Sequence, residues 1–324
     1  MDQEFASSPS ESTWEPPRVL HTFIRSYPDE ITTRGQVFRR AQEELWELCK
    51  ATGSCSALED FLKRWRDPKH PDRIQPNALA WFEEEDFIAC ALSNGRQDAV
   101  RIMQAHGVKP GEVAVLAALT ILEETASKQE LELILEGGWG IDEPVSHSSP
   151  PLLGYMISIN NEDMVDWCLA RGASPNAASP IGGNAMQKAA AQGSIDTLKT
   201  LRSHGGTIEG TDLVAHAAFT YRSGEEDRLE IIQYLLDNGA PIDAYYMGNS
   251  EEWNSTSNPR FLWQGEQNAL HFAISNNNKD LLELLISRGA DRGLEMLSLQ
   301  TEYKKLKPRE LASLLGHEDL VALL

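Results

Sequence analysis

The stretch NALHFAISNNNKDLLELLISRGA, residues 268–290, contains the pattern that predicts the architecture of this chain. Apolar residues recur at helical spacing before and after the three asparagines at 276–278, and the second apolar segment stops at Gly289. Asparagine tolerates the positive φ of a tight turn, and glycine fits the left-handed backbone that terminates a helix. The stretch therefore predicts a helix, a tight turn, a second helix and a loop.

Similar stretches recur along the chain, and each is closed by a glycine. Five of these glycines are 31 to 34 residues apart, whereas Gly289 follows the last of them after 50 residues; the five are Gly107, Gly138, Gly172, Gly205 and Gly239. Periods of this length are typical of stacked repeats, in which each unit buries its apolar stripe against its neighbours. A chain of 324 residues would otherwise divide into separate cores, so the repeats predict one elongated domain.

Two segments carry a resemblance to a known repeat. Residues 268–273, NALHFA, match the opening Thr-Pro-Leu-His-x-Ala motif of the ankyrin repeat, and residues 307–312, KPRELA, match its common terminal form. The chain resembles the ankyrin-repeat family over about 290 residues. This resemblance implies an all-α fold, an ankyrin-repeat solenoid of about seven to eight helix-turn-helix units with short hairpin loops. The polar run at 276–280 is similar to those in fungal members of the family.

The chain divides into three predicted segments. Residues 1–17 carry serines, prolines and four acidic residues without a basic one, a composition that predicts disorder. Residues 18–75 are interpreted as a helical N-terminal cap or a degenerate repeat, and residues 76–324 as the ankyrin-repeat array. The array contains an aromatic loop insertion at about 245–266, where the usual repeat period is exceeded by about 17 residues.

Composition limits the partners. The net charge of −20 opposes binding to nucleic acid, because phosphate recognition needs clustered lysine and arginine. The acidic runs favour a basic protein segment as the partner, or serve solubility alone. The sequence contains neither an apolar run of the roughly 18 residues that a membrane helix needs nor the layout of a signal peptide, so we expect a cytoplasmic or nuclear protein without membrane contact. Polar residues in the final unit favour a monomer.

Motifs for catalysis are absent from the sequence. It contains no Gly-x-Ser-x-Gly elbow, no His-Glu-x-x-His and no P-loop. Cys49 and Cys55 lack the spacing of a zinc site, and no histidine pair completes one. His271 lies at the motif position whose side chain ties adjacent loops together in ankyrin repeats, which favours a structural role. We therefore predict no metal, no cofactor and no catalytic residue, while an enzymatic activity stays an open alternative.

The insertion supplies the main candidates for binding. It places five aromatic residues in a short loop, Tyr245, Tyr246, Trp253, Phe261 and Trp263. Insertions in repeat arrays fall on loops, often on the binding face, and Tyr and Trp are enriched at recognition hot spots. The alternative is that Trp253, Phe261 and Trp263 fold back and cover the neighbouring repeat. The family resemblance implies further contacts on a concave face, at hairpin tips, at the exposed ends of first helices and at one irregular turn: His147, Pro180, Ile181, Gln192, Tyr221, Gln264 and Asn276.

These observations favour a non-catalytic scaffold for protein–protein interaction, which binds a protein segment on the concave face and the aromatic insertion. One alternative is an enzyme or small-molecule binder with a pocket between the insertion and the repeat groove. A second alternative is an adaptor subunit that uses residues 18–75 for another partner.

Overall fold

The computed structural model describes residues 33–66, 69, 86–246, 267–298 and 304–324. Helices make up most of these ranges, and the strands are only two or three residues long. The fold is therefore all-α, as the sequence predicts. The disorder predicted for 1–17 and the largest part of the insertion, 247–266, lie outside the described residues.

Within these ranges the helices form eight successive pairs, with three antiparallel hairpins between pairs. The pairs are α1 (Thr33–Lys50) and α2 (Ser56–Arg66), α3 (Phe87–Ser93) and α4 (Gln97–Ala105), α5 (Glu112–Thr125) and α6 (Gln129–Glu136), α7 (Leu152–Ser158) and α8 (Glu162–Ala170), α9 (Ala185–Gln192) and α10 (Ile195–Ser203), α11 (Leu213–Thr220) and α12 (Glu226–Asp237), α13 (Ala269–Ser275) and α14 (Lys279–Ser287), and α15 (Pro308–Leu314) and α16 (Glu318–Val321). The hairpins are β1 (Pro144–Ser146) with β2 (Ser149–Pro151), β3 (Ala178–Ser179) with β4 (Gly183–Asn184), and β5 (Met296–Ser298) with β6 (Lys304–Leu306).

A glycine with left-handed backbone follows each second helix from α4 to α14. Gly172 and Gly289, which follow α8 and α14, have φ values of 82° and 89°. An L side chain is strained in this conformation, so the period of the glycines follows the period of the helix pairs. The turns inside two pairs contain asparagine in the same conformation, with φ of 58° at Asn160 and 52° at Asn277. The predicted order of helix, turn, helix and loop is confirmed.

First helices of neighbouring pairs pack side by side, and each second helix packs against the first helix of its own pair. Alanines line the contact between α9 and α11, where Ala189, Ala190, Ala217 and Ala218 have no exposed surface. Small side chains allow the two helix axes to approach closely. The buried apolar residues of the described pairs form one continuous hydrophobic cluster, which extends along the array.

The junction between the third and fourth pairs differs from its neighbours. α5 and α7 make few close backbone contacts, although both helices are fully described, and β1 lies against both. Polar groups bridge this junction: Arg171 Nη2 lies 2.7 Å from Glu132 Oε1, and the Ser174 amide donates to Asp142 Oδ1 over 2.8 Å. The sequence of α5 has almost no polar side, yet Leu116 of α5 is 38% exposed.

The N-terminal part of the described chain is helical. α1 and α2 lie within the segment 18–75, and Leu45 and Phe61 join the hydrophobic cluster with no exposed surface. This pair packs against α3 and α4 in the same manner as later pairs pack against each other. Its interpretation as a cap or as a degenerate repeat stays a prediction.

Candidate functional site

Four consecutive first helices, α7, α9, α11 and α13, present corresponding residues on one surface. Their fourth residues are Tyr155, Lys188, His216 and Phe272, and their seventh residues are Ser158, Ala191, Phe219 and Ser275. Residues three apart lie on the same side of a helix, so these two rows are adjacent. We call the eight residues the inner face. Phe219 is the one large side chain in its row, and it is 39% exposed.

Four rings form an aromatic cluster at Phe219: those of His216, Tyr246, Phe272 and Phe219 itself. The Tyr246 ring centroid lies 4.3 Å from that of His216, 5.1 Å from that of Phe219 and 5.7 Å from that of Phe272. Phe219 and Phe272 are also in contact, with centroids 5.2 Å apart and an edge-to-face arrangement. Such packing fixes the orientation of each ring. Phe219 is therefore held rigidly while part of its surface stays in solvent.

Tyr246 connects the aromatic cluster to the insertion. Its backbone amide donates to the Gln267 carbonyl over 2.8 Å, so the chain segments before and after 247–266 are joined beside the inner face. Burial raises the pKa of the Tyr246 hydroxyl to about 12, and the charge of Asp212 acts in the same direction. The phenol is therefore neutral at physiological pH, which suits its position over the His216 ring.

Buried polar contacts hold the base of the cluster. Asp212 Oδ1 accepts from Gln187 Nε2 of the preceding pair over 2.9 Å, and Asp212 Oδ2 lies 3.3 Å from His216 Nε2. The side chains of His216 and Asp212 are only 7% and 9% exposed. A buried carboxylate needs such partners to offset its desolvation. The contacts connect α9 to α11 directly below the aromatic cluster.

The structure describes two of the five aromatic residues predicted for binding. Tyr245 and Tyr246 are both partly buried, and Tyr246 packs against the neighbouring repeats. Its ring also borders the inner face, so packing and contact with a partner are compatible for this residue. Trp253, Phe261 and Trp263, together with Gln264, lie outside the described residues.

Tyr221 requires a correction. The sequence predicts that this residue lies toward the concave face, at an irregular turn after α11. Its side chain has no exposed surface and is among the largest fully buried side chains of the described residues. The turn directs the ring into the core below α11, because the chain leaves the helix there in an extended conformation with ψ of 134°. A partner cannot contact Tyr221 without unfolding this turn.

The remaining predicted contacts lie where the family resemblance implies. His147 lies exposed in the turn between β1 and β2, and Gln192 and Asn276 lie exposed at the ends of α9 and α13. Pro180 and Ile181 are partly buried in the turn between β3 and β4. Nothing in their geometry tests whether they bind a partner, so their role stays a prediction.

None of the eight inner-face residues is among the contacts predicted from the sequence, and this includes Lys188, His216 and Phe219. A signal for Phe219 is present, since residues 213–219 form a helix without a polar side, and such a helix places one apolar residue where no neighbour covers it. Lys188 and His216 could have been found by counting to the fourth residue of each first helix. That count needs accurate helix starts, which the capping residues provide only where their motif is clear.

A second polar cluster lies between α2 and α4 and contains Cys55, Arg96 and Asp98. Cys55 Sγ lies 2.8 Å from Asp98 Oδ2 and 2.9 Å from Arg96 Nη2. Burial raises the pKa of the Cys55 thiol, whereas the Arg96 guanidinium holds the pKa of the Asp98 carboxyl well below its usual range. The thiol is therefore protonated near neutral pH and donates to Asp98, so it connects two helix pairs rather than supplying a nucleophile.

No group of three or more His, Cys, Asp and Glu side chains within the described ranges is arranged to hold a metal ion. No helix in the same ranges combines the length and the apolar content that crossing a bilayer requires. An open groove of about 520 Å³ lies at the last pair, lined by Leu306, Arg309, Glu310, Ser313, Leu314 and Val321.

Comparison with known families identifies the class of the protein. The family model described as ankyrin repeats in many copies matches residues 158–202 and 215–286. These segments contain α8 to α14 almost completely, including the glycine-terminated helices and the aromatic cluster. Residues 158–202 and 215–286 therefore contain ankyrin repeats. No curated protein matches the sequence. Ankyrin repeats are generally protein–protein interaction modules, and the helical array is consistent with a scaffold.

Proposed function

We propose that the protein is a non-catalytic scaffold whose inner face binds a segment of another protein, with Phe219 as the central contact. The observation that supports this proposal most directly is the exposure of Phe219. Its ring projects from a row of small residues, Ser158, Ala191 and Ser275, so a partner chain can approach it from both sides. The ring of Tyr246 lies beside that of Phe219 and carries a polar hydroxyl.

The aromatic cluster reduces the entropic cost of binding. An exposed aromatic side chain that is already held by two neighbouring rings loses little rotamer freedom when a partner covers it. Aromatic residues of this kind, at the centre of a contact and surrounded by smaller ones, are typical hot spots of protein interfaces. The predicted contacts Tyr245, His147, Pro180, Ile181, Gln192 and Asn276 would extend the surface, as would Trp253, Phe261, Trp263 and Gln264 of the insertion.

The net charge of the chain indicates which residues the partner carries around the bound segment. A protein with a net charge of −20 attracts basic proteins over long range and repels polyanions. We therefore propose a partner with basic residues around the bound segment, and a monomeric scaffold of seven to eight repeats in the cytoplasm or nucleus. The small-molecule pocket and the adaptor role of 18–75 stay alternatives.

Selection from a library of random 12-residue peptides, with the full chain as bait, tests the proposal. The enriched peptides are synthesised with a dye, and their Kd is measured by fluorescence anisotropy. Replacement Phe219→Ala is expected to weaken binding by about tenfold or more, because it removes a hot-spot side chain.

The matched control is Leu116→Ala, which removes another exposed apolar side chain, 38% exposed against 39% for Phe219, on α5 and outside the four helices of the inner face. We expect this variant to bind the same peptides with unchanged affinity. Equal affinity of Phe219→Ala and the unaltered protein for all enriched peptides would show that the inner face is not the binding surface.

A further inference from the structure

Lys188 occupies an unusual position on the inner face. It is the fourth residue of α9, between Tyr155 of α7 and His216 of α11, and its side chain is partly buried. Within the described ranges no carboxylate forms an ion pair with its ammonium group, although the chain contains 49 acidic and 29 basic residues. In such an acidic protein, a partly buried lysine without an acidic partner needs an explanation.

The carboxylates that contact the inner-face residues His216 and Tyr155 on either side of Lys188 already have partners. Asp212 accepts from Gln187 and lies beside His216, as described above. Glu123 accepts from the Tyr155 hydroxyl over 3.2 Å. By contrast, lysines of the second helices do have acidic neighbours: Lys279 Nζ lies 3.7 Å from Glu283 Oε1 on α14. Lys279 is exposed, whereas Lys188 is partly buried and has no ion pair within the described ranges, so the lack of a partner is more costly at Lys188.

The unpaired ammonium costs folding free energy. Burial lowers the pKa of Lys188, and no described acidic group acts against this shift. A methionine of similar length would fill the space without this desolvation cost. Residues that reduce stability in this way are typical of functional surfaces, where the missing charge is supplied by the ligand.

We propose that Lys188 binds the side-chain carboxylate of an aspartate or glutamate in the same protein segment whose apolar side chain contacts Phe219. The inference rests on the proposed function of the inner face, and it adds the chemistry of one partner residue. The partner segment then carries a single acidic residue at the inner face, while its flanks provide the basic charge that the whole surface attracts.

The positions of the two residues set the spacing in the partner. Lys188 is the fourth residue of α9 and Phe219 the seventh residue of α11, so they differ by three residues along neighbouring helices. Three residues correspond to about 4.5 Å along a helix axis. Adjacent helix axes are about 8–10 Å apart. The two side chains are therefore separated by about 10 Å, which an extended chain spans in about three residues.

The same peptide selection, repeated with variants, tests this inference. We expect peptides selected by the unaltered protein to carry Asp or Glu three positions from an aromatic or aliphatic residue. One such peptide is synthesised in two forms, with Glu and with Gln at the acidic position. The unaltered protein should bind the Glu form about tenfold more tightly than the Gln form, and Lys188→Met should bind both forms equally.

Lys199→Met is the control, since Lys199 lies on α10, exposed and 3.6 Å from Asp196. It should retain the preference for the Glu form. The inference is overturned if the selected peptides lack an acidic residue at this spacing, or if the unaltered protein binds the Glu and Gln forms equally, a measurement that does not depend on how any variant folds. If selected peptides bind Phe219→Ala without loss, the proposed function itself fails, which is a different result from a missing preference for Glu.

Discussion

At the scale of single residues, the third position of two first helices shows how one structural task is met by different side chains. In α13 the His271 amide donates to Asn268 Oδ1 over 3.2 Å, and the Asn268 amide lies 3.4 Å from His271 Nδ1. In α9, Gln187 and Asn184 form the same reciprocal pair, at 2.9 and 3.0 Å. Both arrangements are capping boxes, which satisfy two backbone amides at a helix start. The structural role predicted for His271 is in agreement with this geometry.

Because histidine titrates and glutamine does not, replacement His271→Gln should remove a pH dependence of stability. Burial lowers the pKa of His271 from 6.5 to about 4, although the Leu294 backbone beside it favours the charged form. Between these two pKa values, His271 is protonated in the unfolded chain and neutral in the folded chain. The free energy of unfolding therefore decreases as the pH falls from 6.5 toward 4. We expect the free energy of unfolding to decrease by about 1–3 kcal/mol more in the unaltered protein than in His271→Gln.

Urea unfolding at pH 7.5, 6.0 and 5.0 checks this prediction, with Gln187 in the same chain as evidence that glutamine fits the position. Parallel pH dependences in the two proteins would contradict it. In that case the protonated imidazole must find a partner in the folded state.

At the scale of elements, the first helix α9 depends on the following pair to complete its C-terminal end. Thr220 Oγ1 of α11 donates to the Ala191 carbonyl of α9 over 2.6 Å, and Arg228 Nη1 of α12 donates to the Ala190 carbonyl over 3.3 Å. These carbonyls are among the last four of α9, which have no partner within the helix. Cationic Arg228 is also favourable near the negative end of the helix dipole.

Replacement Thr220→Val should therefore lower the free energy of unfolding by about 1 kcal/mol. Valine preserves the shape of the side chain but leaves the Ala191 carbonyl without its side-chain donor. The matched control is Thr120→Val, because the Thr120 hydroxyl is exposed and bonds only the Leu116 carbonyl of its own helix. We expect the control to change stability by less than about 0.5 kcal/mol in urea unfolding. Equal losses in both variants would show that the contact between α9 and α11 contributes nothing specific.

At the scale of the whole molecule, the strength of the array varies along its length. The contact of α9 with α11 is close and lined by alanine, whereas α5 and α7 meet through β1 and through polar groups. Stability in a repeat array is approximately a sum of the units and of the contacts between nearest neighbours. Exposed ion pairs such as Arg171 with Glu132 add little to such a contact. The junction between the third and fourth pairs is therefore the weak point of the described array.

We expect the array to unfold in two steps that divide at this junction. Hydrogen exchange followed by mass spectrometry, at increasing urea concentration, should show loss of amide protection in α3–α6 and in α7–α14 at different concentrations. Added salt should enlarge the difference, because it screens the polar groups that bridge the junction. Loss of protection in both halves at one urea concentration would mean that the junction is as strong as the others.

The sequence by itself determined the order of helices, the turns between them and the family, because these depend on local backbone preferences. Glycine at a left-handed position and asparagine at a helix start act within a few residues of their own place in the chain. Only the tertiary structure decided which side chains share the inner face, that Tyr246 packs on His216 and Phe272, and that Tyr221 is buried. Exposure depends on neighbours that come from other helix pairs, often some 30 residues away in the chain. For the same reason the sequence does not predict that Lys188 lacks an ion pair within the described ranges. That property depends on three neighbouring helices together.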